Sequence, residues 1–291
     1  MTPGAITGKT RVYGLIGDPV GHSMSPAMHN AAFEKLGLDY VYLPFRVSPE
    51  ALGAAVDGLR ALNVRGFNVT IPHKVKIIPL LDGLDPSAEK TGAVNTIVNN
   101  GGELRGYNTD AGGFLRALRD GGAEPAGNII VLGAGGASRA VCHILAEHGA
   151  SLTILNRLQE LDWAEALAEH IADDLRVSIR VMELNDHNLG TALEGADILI
   201  NATSVGMSPD SEATPVPQGL LRPGLTVFDI VYNPRQTRLL REAGAAGART
   251  IAGVDMLAWQ GALAFEKWTG QPAPLDLMRA EAVRLLEQHE D

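Results

Sequence analysis

The sequence predicts an α/β fold that is divided into two α/β domains. Its 291 residues exceed the usual size of a single core, so one large domain or two modest ones are expected. Short apolar runs alternate with segments of helical periodicity, and the series starts twice along the chain. Many of the 33 glycines lie between these runs. This alternation is typical of a mostly parallel sheet that is covered by helices.

The first series has the order β-α-β-α-β. Apolar runs predict strands at 11–17, 40–47 and 66–71. We expect Ser25 to be the N-cap of the first helix, with Pro26 as its first residue. A second helix is expected to open at Ser48-Pro49-Glu50.

The segment NVTIPHK, residues 68–74, contains the end of the third predicted strand. We expect Pro72 to stop that strand and to begin a short helix, because proline suits the first helical position. Lys74 would then lie in the first turn of this helix.

The series restarts near residue 110. Residues 128–157 read as strand, glycine turn, helix and strand, and further strands are predicted at 177–182, 196–202 and 225–231. Two helices, 254–268 and 275–288, end the predicted pattern.

Composition excludes several classes of protein. The balance of 24 basic and 34 acidic residues gives a net charge of −10, which argues against a nucleic-acid partner or an anionic membrane surface. Cys142 is the only cysteine, so neither an internal disulfide nor a thiolate metal cluster is expected. The histidine spacing indicates no metal site. Without a signal peptide or a long apolar run, the expected location is the cytoplasm.

The glycine turn VLGAGGASRA predicts a Rossmann-type dinucleotide site. Gly133 permits the tight turn, and Gly135 lets the backbone approach a pyrophosphate at the helix N-terminus. The next strand ends at Asn156-Arg157, where an arginine suits the 2′-phosphate of NADP. Glu160 and Asp162 follow closely and would oppose phosphate binding if they point inward.

Seven motifs follow one another along the chain. They are GDPVGHSMSP (17–26), NVTIPHK (68–74), GAVNT (92–96), GYNTDAGG (106–113), ILINATSVGM (198–207), FDIVYNP (228–234) and GVDMLAWQGA (253–262). In this order and spacing they resemble the shikimate dehydrogenase family, and the resemblance spans nearly the whole chain. It implies NADP-dependent, reversible interconversion of 3-dehydroshikimate and shikimate, a step of chorismate and aromatic amino-acid biosynthesis.

The fold that the resemblance implies is a substrate-binding domain of residues 1–110 plus 251–291, with a mostly parallel sheet completed by C-terminal helices. A Rossmann-like NADP-binding domain of residues 111–250 follows, with a cleft between the two. The implied catalytic pair is Lys74 and Asp110. The implied substrate-binding residues are Ser23, Ser25, Asn68, Thr70, Asn95, Tyr232 and Gln260. The implied cofactor-binding residues are Gly133, Ala134, Gly135, Gly136, Ala137, Asn156, Arg157, Thr203, Ser204, Met207, Val231, Gly253 and Met256.

The residue types suit these roles. Serine hydroxyls can donate to a substrate carboxylate, and side-chain amides suit a ring that bears several hydroxyls. Lys74, held by Asp110, would hydrogen-bond the reacting oxygen and supply or relay its proton. A structural alternative stays open for Asp110: either Asp110 or Thr109 could be the N-cap of the following helix. Lys76 is expected to be solvated and serves as the control for Lys74.

Alternatives concern the substrate and the cofactor. The family's NADP-specific members have a threonine and a further basic residue after the arginine, where this chain has Leu158 and Leu161; some use of NAD is therefore expected. Quinate is the competing substrate, and a non-catalytic NADP-binding regulator is the competing class. A small-molecule substrate is the expected partner, with a monomer or a homodimer as the assembly.

Overall fold

The computed structural model describes residues 6–289 of the chain, with side chains to residue 288. These residues form two compact units, each with its own six-stranded sheet. One unit contains the chain up to Gly113 together with Ala258–Leu285, and the other contains Phe114–Leu257 and the residues from Leu286 onward.

The sheet of the first unit has the order β2-β1-β3-β5-β6-β4. Strands β1, β2 and β3 are parallel, whereas β5 is antiparallel to both β3 and β6. The mostly parallel sheet that the sequence predicts is therefore present, with one hairpin inserted. The strands are β1 Arg11–Gly17, β2 Tyr40–Arg46, β3 Gly66–Val69, β4 Gly83–Leu84, β5 Thr96–Asn100 and β6 Glu103–Tyr107, and the helices before the second sheet are α1 Ser25–Lys35, α2 Leu52–Ala61, α3 Pro86–Thr91 and α4 Asp110–Asp120.

The sheet of the second unit is parallel throughout, with the order β12-β11-β10-β7-β8-β9. Its central strands β7, β10 and β11 are buried nearly throughout, as expected for a parallel sheet between helices, whereas the edge strands β9 and β12 are largely accessible. The elements are β7 Asn128–Leu132, α5 Gly136–Glu147, β8 Ser151–Asn156, α6 Leu161–Leu175, β9 Arg180–Glu183, α7 Asp186–Leu193, β10 Ile198–Asn201, β11 Thr226–Asp229, α8 Arg238–Ala245 and β12 Arg249–Ala252, followed by α9 Gly253–Thr269 and α10 Leu275–His289.

The C-terminal helix α9 packs onto the first sheet through Trp268. Its indole Nε1 donates to the carbonyl of Ile97 at 2.9 Å, and a Cβ at Gly66 would collide with the indole ring. Glycine at this position of β3 therefore lets the helix approach the sheet closely.

Two local predictions are wrong. Helix α1 begins at Ser25, so Ser25 is not the N-cap that we expected: Met24 holds that position without a side-chain cap, and the amide of Ser25 donates to the Ser23 hydroxyl at 3.3 Å. Pro72 does not begin a helix either: residues 72–77 form turns, and a single 3-10 turn, Ile78–Leu80, follows. The carbonyl of Lys74 accepts from Val94 instead of the next helical turn, and Pro79 has no N–H to donate.

Candidate active site

The first unit brings Lys74 and Asp110 into direct contact. Lys74 Nζ lies 2.7 Å from Asp110 Oδ2, although the residues are 36 positions apart in sequence. Both side chains are largely enclosed, with exposures of 15% and 6%. Lys76, two residues away, is exposed. The ammonium group of Lys74 is therefore held by a charge-assisted hydrogen bond near the surface of the unit.

The Asp110 carboxylate is fixed from its other side by Asn95, whose Nδ2 donates to Oδ1 at 2.7 Å. The backbone amides of Asp110 and Ala111 donate to Asn108 Oδ1 at 2.9 and 3.3 Å. Asn108 is therefore the residue that caps α4, where Asp110 or Thr109 was the competing expectation. Sequence reasoning missed it, although an asparagine two residues before a helix is a known local signal.

Protein groups satisfy the hydrogen-bonding capacity of the Asn95 side-chain amide. Besides Asp110, its Nδ2 donates to Thr109 Oγ1 at 2.9 Å and lies 3.5 Å from Gln260 Oε1. Its Oδ1 accepts from the Thr109 amide at 2.8 Å and from Thr96 Oγ1 at 2.9 Å. Because an amide has two donors and about two acceptor positions, this geometry orients Asn95 toward Asp110.

Asn68 lies in β3 and is 5% exposed. Its Nδ2 donates to the carbonyl of Asn95 at 3.1 Å and to Thr96 Oγ1 at 3.0 Å, and its Oδ1 accepts from the Tyr42 hydroxyl at 2.7 Å. The remaining capacity of the Asn68 side chain is one acceptor position on Oδ1. Thr70 follows one residue beyond the end of β3 and is partly exposed.

Tyr42 was not singled out from the sequence. It is fully enclosed, and burial raises the pKa of Tyr42 well above its usual value, while a hydrogen bond from Ser25 lowers it. The Tyr42 hydroxyl thus connects Ser25 with Asn68. Only the fold could reveal this connection, because α1, β2 and β3 supply one residue each.

The second unit places the glycine turn between β7 and α5. Gly133 has φ +95°, which favours glycine, and Gly135 is the N-cap of α5. A Cβ at Gly135 would meet no atom of the described residues within 4 Å. The turn therefore leaves open space at the N-terminus of a 12-residue helix, which fits the pyrophosphate of a dinucleotide. Ala134, Gly136 and Ala137 belong to the same turn and first helical residues.

Asn156 and Arg157 lie where β8 ends, but both have partners of their own. Asn156 Nδ2 donates to the carbonyl of Glu160 at 2.6 Å. Arg157 binds the Glu160 carboxylate with two nitrogens, at 2.7 and 2.5 Å. The guanidinium is 67% exposed, and Glu160 raises its pKa through the hydrogen bonds and the charge.

Strands β10 and β11 end in a buried polar network around Asp229. Its carboxylate accepts from Asn201 Nδ2 at 2.9 Å, from the Val231 amide at 3.0 Å and from Thr237 Oγ1 at 2.6 Å. Asn201 in turn accepts from the amide and hydroxyl of Thr203. The network therefore fixes the two loops that follow these strands.

The other predicted cofactor residues of the second unit lie beside these loops. A Cβ at Gly253 would collide with the backbone of Ile230 and Val231. Met207 is 47% exposed, whereas Met256 is buried. Ser204 is exposed, and Tyr232, which the resemblance assigns to the substrate, is partly exposed in this unit.

Residues 6–289 contain no group of His, Cys, Asp or Glu side chains arranged to hold a metal ion. Within the same residues, no helix combines the length and the apolar character that crossing a bilayer requires. Burial raises the pKa of the Cys142 thiol to about 12, so this thiol is protonated and unreactive at neutral pH.

The parallel sheet with its glycine turn, and the Lys–carboxylate pair of the other unit, define a dinucleotide-dependent oxidoreductase. Three family models match the chain. They are the shikimate dehydrogenase substrate binding domain over residues 15–97, shikimate / quinate 5-dehydrogenase over 121–236 and the shikimate 5′-dehydrogenase C-terminal domain over 253–283. The chain belongs to the shikimate dehydrogenase family, as the sequence motifs predict.

Individual relatives support this membership along the whole chain. Shikimate dehydrogenase (NADP⁺) of Dehalococcoides mccartyi is 49% identical over 279 residues, 96% of this chain and 97% of the relative. A crystal structure of a shikimate dehydrogenase in complex with NADP⁺ has a TM-score of 0.91 at 44% identity, covering 98% of both chains. The Listeria monocytogenes enzyme in complex with shikimate and NAD has a TM-score of 0.88 at 43% identity, covering 94% of this chain and 97% of that one.

Proposed function

We propose that the protein catalyses the reversible, NADP-dependent interconversion of 3-dehydroshikimate and shikimate. The observation that carries the proposal is the pair of Lys74 Nζ and Asp110 Oδ2, 2.7 Å apart and fixed by Asn95. Membership of the shikimate dehydrogenase family supports the same reaction. The first unit would bind the substrate, and the second would bind the cofactor through its glycine turn.

Bound NADPH supplies a hydride for the C3 carbonyl carbon of 3-dehydroshikimate. Lys74 Nζ donates a proton to the developing alkoxide at the C3 oxygen and takes it back in the reverse direction. Asp110 keeps Nζ in position through Oδ2, and Asn95 prevents the carboxylate from rotating. Such preorganisation requires little rearrangement during the reaction.

Substrate binding would use the groups that retain hydrogen-bonding capacity. The Ser23 oxygen accepts from the Ser25 amide, so its hydroxyl proton can be donated to the substrate carboxylate. Asn68 would accept from a ring hydroxyl, because both its Nδ2 protons bind protein atoms. Thr70, Gln260 and Tyr232 would add polar contacts.

The test follows the absorbance of the reduced cofactor with shikimate or quinate, each crossed with NADP or NAD. We expect turnover with shikimate and NADP, and a drop in kcat of about 10²–10⁴-fold in Lys74→Ala, the range for losing a general acid–base group. The exposed Lys76→Ala is the matched control and should keep wild-type kcat. Near-normal kcat in Lys74→Ala would exclude this role of Lys74.

Quinate is the second candidate substrate, since one matching family model describes shikimate and quinate dehydrogenases together. A higher kcat/KM for quinate than for shikimate in the crossed assay would favour it. A non-catalytic regulator would show no turnover in any of the four combinations. The presence of both Lys74 and Asp110 in contact argues against a regulator.

A further inference from the structure

The Glu160 carboxylate binds the guanidinium group of Arg157, which the sequence assigns to the 2′-phosphate of NADP. Both contacts, from Nε and from one terminal nitrogen of Arg157, go to the two oxygens of the same carboxylate. Arginine binds phosphate with the same planar pair of N–H donors. A phosphate and the Glu160 carboxylate therefore compete for the same pair of Arg157 N–H donors.

The backbone holds Glu160 in this place. Its amide donates to the carbonyl of Arg157 at 3.0 Å, and its own carbonyl accepts from Asn156 Nδ2 at 2.6 Å. The three residues Leu158–Glu160 form a single 3-10 turn between β8 and α6. The Glu160 side chain is 23% exposed, against 67% for Arg157, so the Arg157 side chain is the more accessible partner.

We propose that Glu160 is a specificity-determining residue that reduces the preference for NADP over NAD. To bind a 2′-phosphate, Arg157 must leave Glu160, and the carboxylate then remains close to a dianion. The 2′-hydroxyl of NAD has no such charge and leaves the Arg157–Glu160 pair intact. This inference rests on the cofactor site of the proposed function.

Glu160→Gln tests the inference by removing the charge at nearly constant shape. The probes are adenosine 2′,5′-bisphosphate and 5′-AMP, with affinities measured by titration calorimetry. We expect the variant to bind the bisphosphate up to about fivefold more tightly, the scale of one exposed ion pair, and 5′-AMP as the wild type does. Glu169→Gln, which removes an exposed carboxylate further along α6, should change neither affinity.

Arg157→Leu is the second variant, and it should lose affinity for the bisphosphate but not for 5′-AMP. Equal affinity of Glu160→Gln and wild type for the bisphosphate, or the same change for both probes, would overturn the inference. Wild-type bisphosphate affinity in Arg157→Leu would overturn it as well. These measurements need no turnover, so failure of the proposed reaction with shikimate would be recognised separately.

Discussion

The hydroxyl of Tyr42 donates to Asn68 Oδ1 at 2.7 Å inside the first unit. Both residues are enclosed, and both Nδ2 protons of Asn68 are bound by Asn95 and Thr96. The orientation of the Asn68 amide is therefore determined, with oxygen toward Tyr42. If Asn68 binds the substrate, Tyr42 acts on binding through it.

Tyr42→Phe is expected to raise KM for shikimate by about fivefold with little change in kcat, the pattern of lost ground-state binding. The loss corresponds to one hydrogen bond to a buried acceptor. Tyr40→Phe is the matched control, since it removes a hydroxyl two residues away that accepts from Arg11 Nη1 at 3.2 Å in an exposed position. Steady-state kinetics of both variants decide the point, and equal KM values would contradict it.

Asp110→Asn separates a catalytic role from a structural one. Asn108 supplies the capping oxygen of α4, so the helix keeps its cap in this variant. We expect a fall in kcat of at least about 10²-fold, because Lys74 loses its anionic partner. Asn108→Ala should instead cost about 1 kcal/mol of unfolding free energy. A large loss of stability with normal kcat in Asp110→Asn would reverse these assignments.

Much of the fold could be predicted because its signals are local. Aliphatic runs indicated five of the six strands of the parallel sheet, all except β12, and the glycine turn indicated where α5 begins. The helix predicted at Pro72 failed partly for a local reason, since Pro79 has no N–H to donate, and partly for a non-local one: the Lys74 carbonyl accepts from Val94, which lies on a later segment. No pattern near residue 72 contains that information.

The site was predictable as a set of residues but not as a network. Ordered motifs indicated Lys74 and Asp110, which lie in contact. The hydrogen bonds of the Asn95 amide, and the connection from Ser25 through Tyr42 to Asn68, depend on side chains from several elements. They could therefore be seen only in the structure. The Arg157–Glu160 pair is local, and the sequence did indicate a conflict there, without showing which way Glu160 points.

His29 should make stability depend on pH. It stacks on Tyr42, with ring centroids 4.5 Å apart, and neither of its ring nitrogens has a hydrogen-bond partner within residues 6–289. Burial lowers the pKa of His29 from 6.5 to about 3. The folded state therefore holds a neutral ring where the unfolded state binds a proton, so stability is present above pH 6.5 and lost as pH falls.

Between pH 7 and pH 5 this linkage predicts a loss of about 2 kcal/mol in the free energy of unfolding. His29→Leu should lose that share of the pH dependence and, since it removes an unpaired polar ring, should be at least as stable as the wild type at pH 5. The exposed His22→Gln is the control. Urea unfolding at several pH values gives the measurement, and an unchanged slope in His29→Leu would contradict the assignment.

Asp229 predicts the opposite dependence. Burial raises the pKa of Asp229 from 3.8 to about 6, although hydrogen bonds from Thr237, Val231 and Asn201 oppose the shift. Because the folded state binds this proton more tightly, the stabilising contribution is full below pH 3.8 and is lost as pH rises through 6. Ionised Asp229 therefore lowers the stability of the folded protein at neutral pH.

Asp229→Asn resembles the protonated carboxyl, since its oxygen can keep the bonds to Asn201 and Val231 while its amide donates to Thr237. We expect the unfolding free energy of the variant, relative to wild type, to increase by about 2 kcal/mol between pH 4 and pH 8. Asp186→Asn, at an exposed carboxylate of the same unit, should show no such trend. A difference between Asp229→Asn and wild type that stays constant with pH would mean that Asp229 is ionised throughout, and that its hydrogen bonds outweigh its burial.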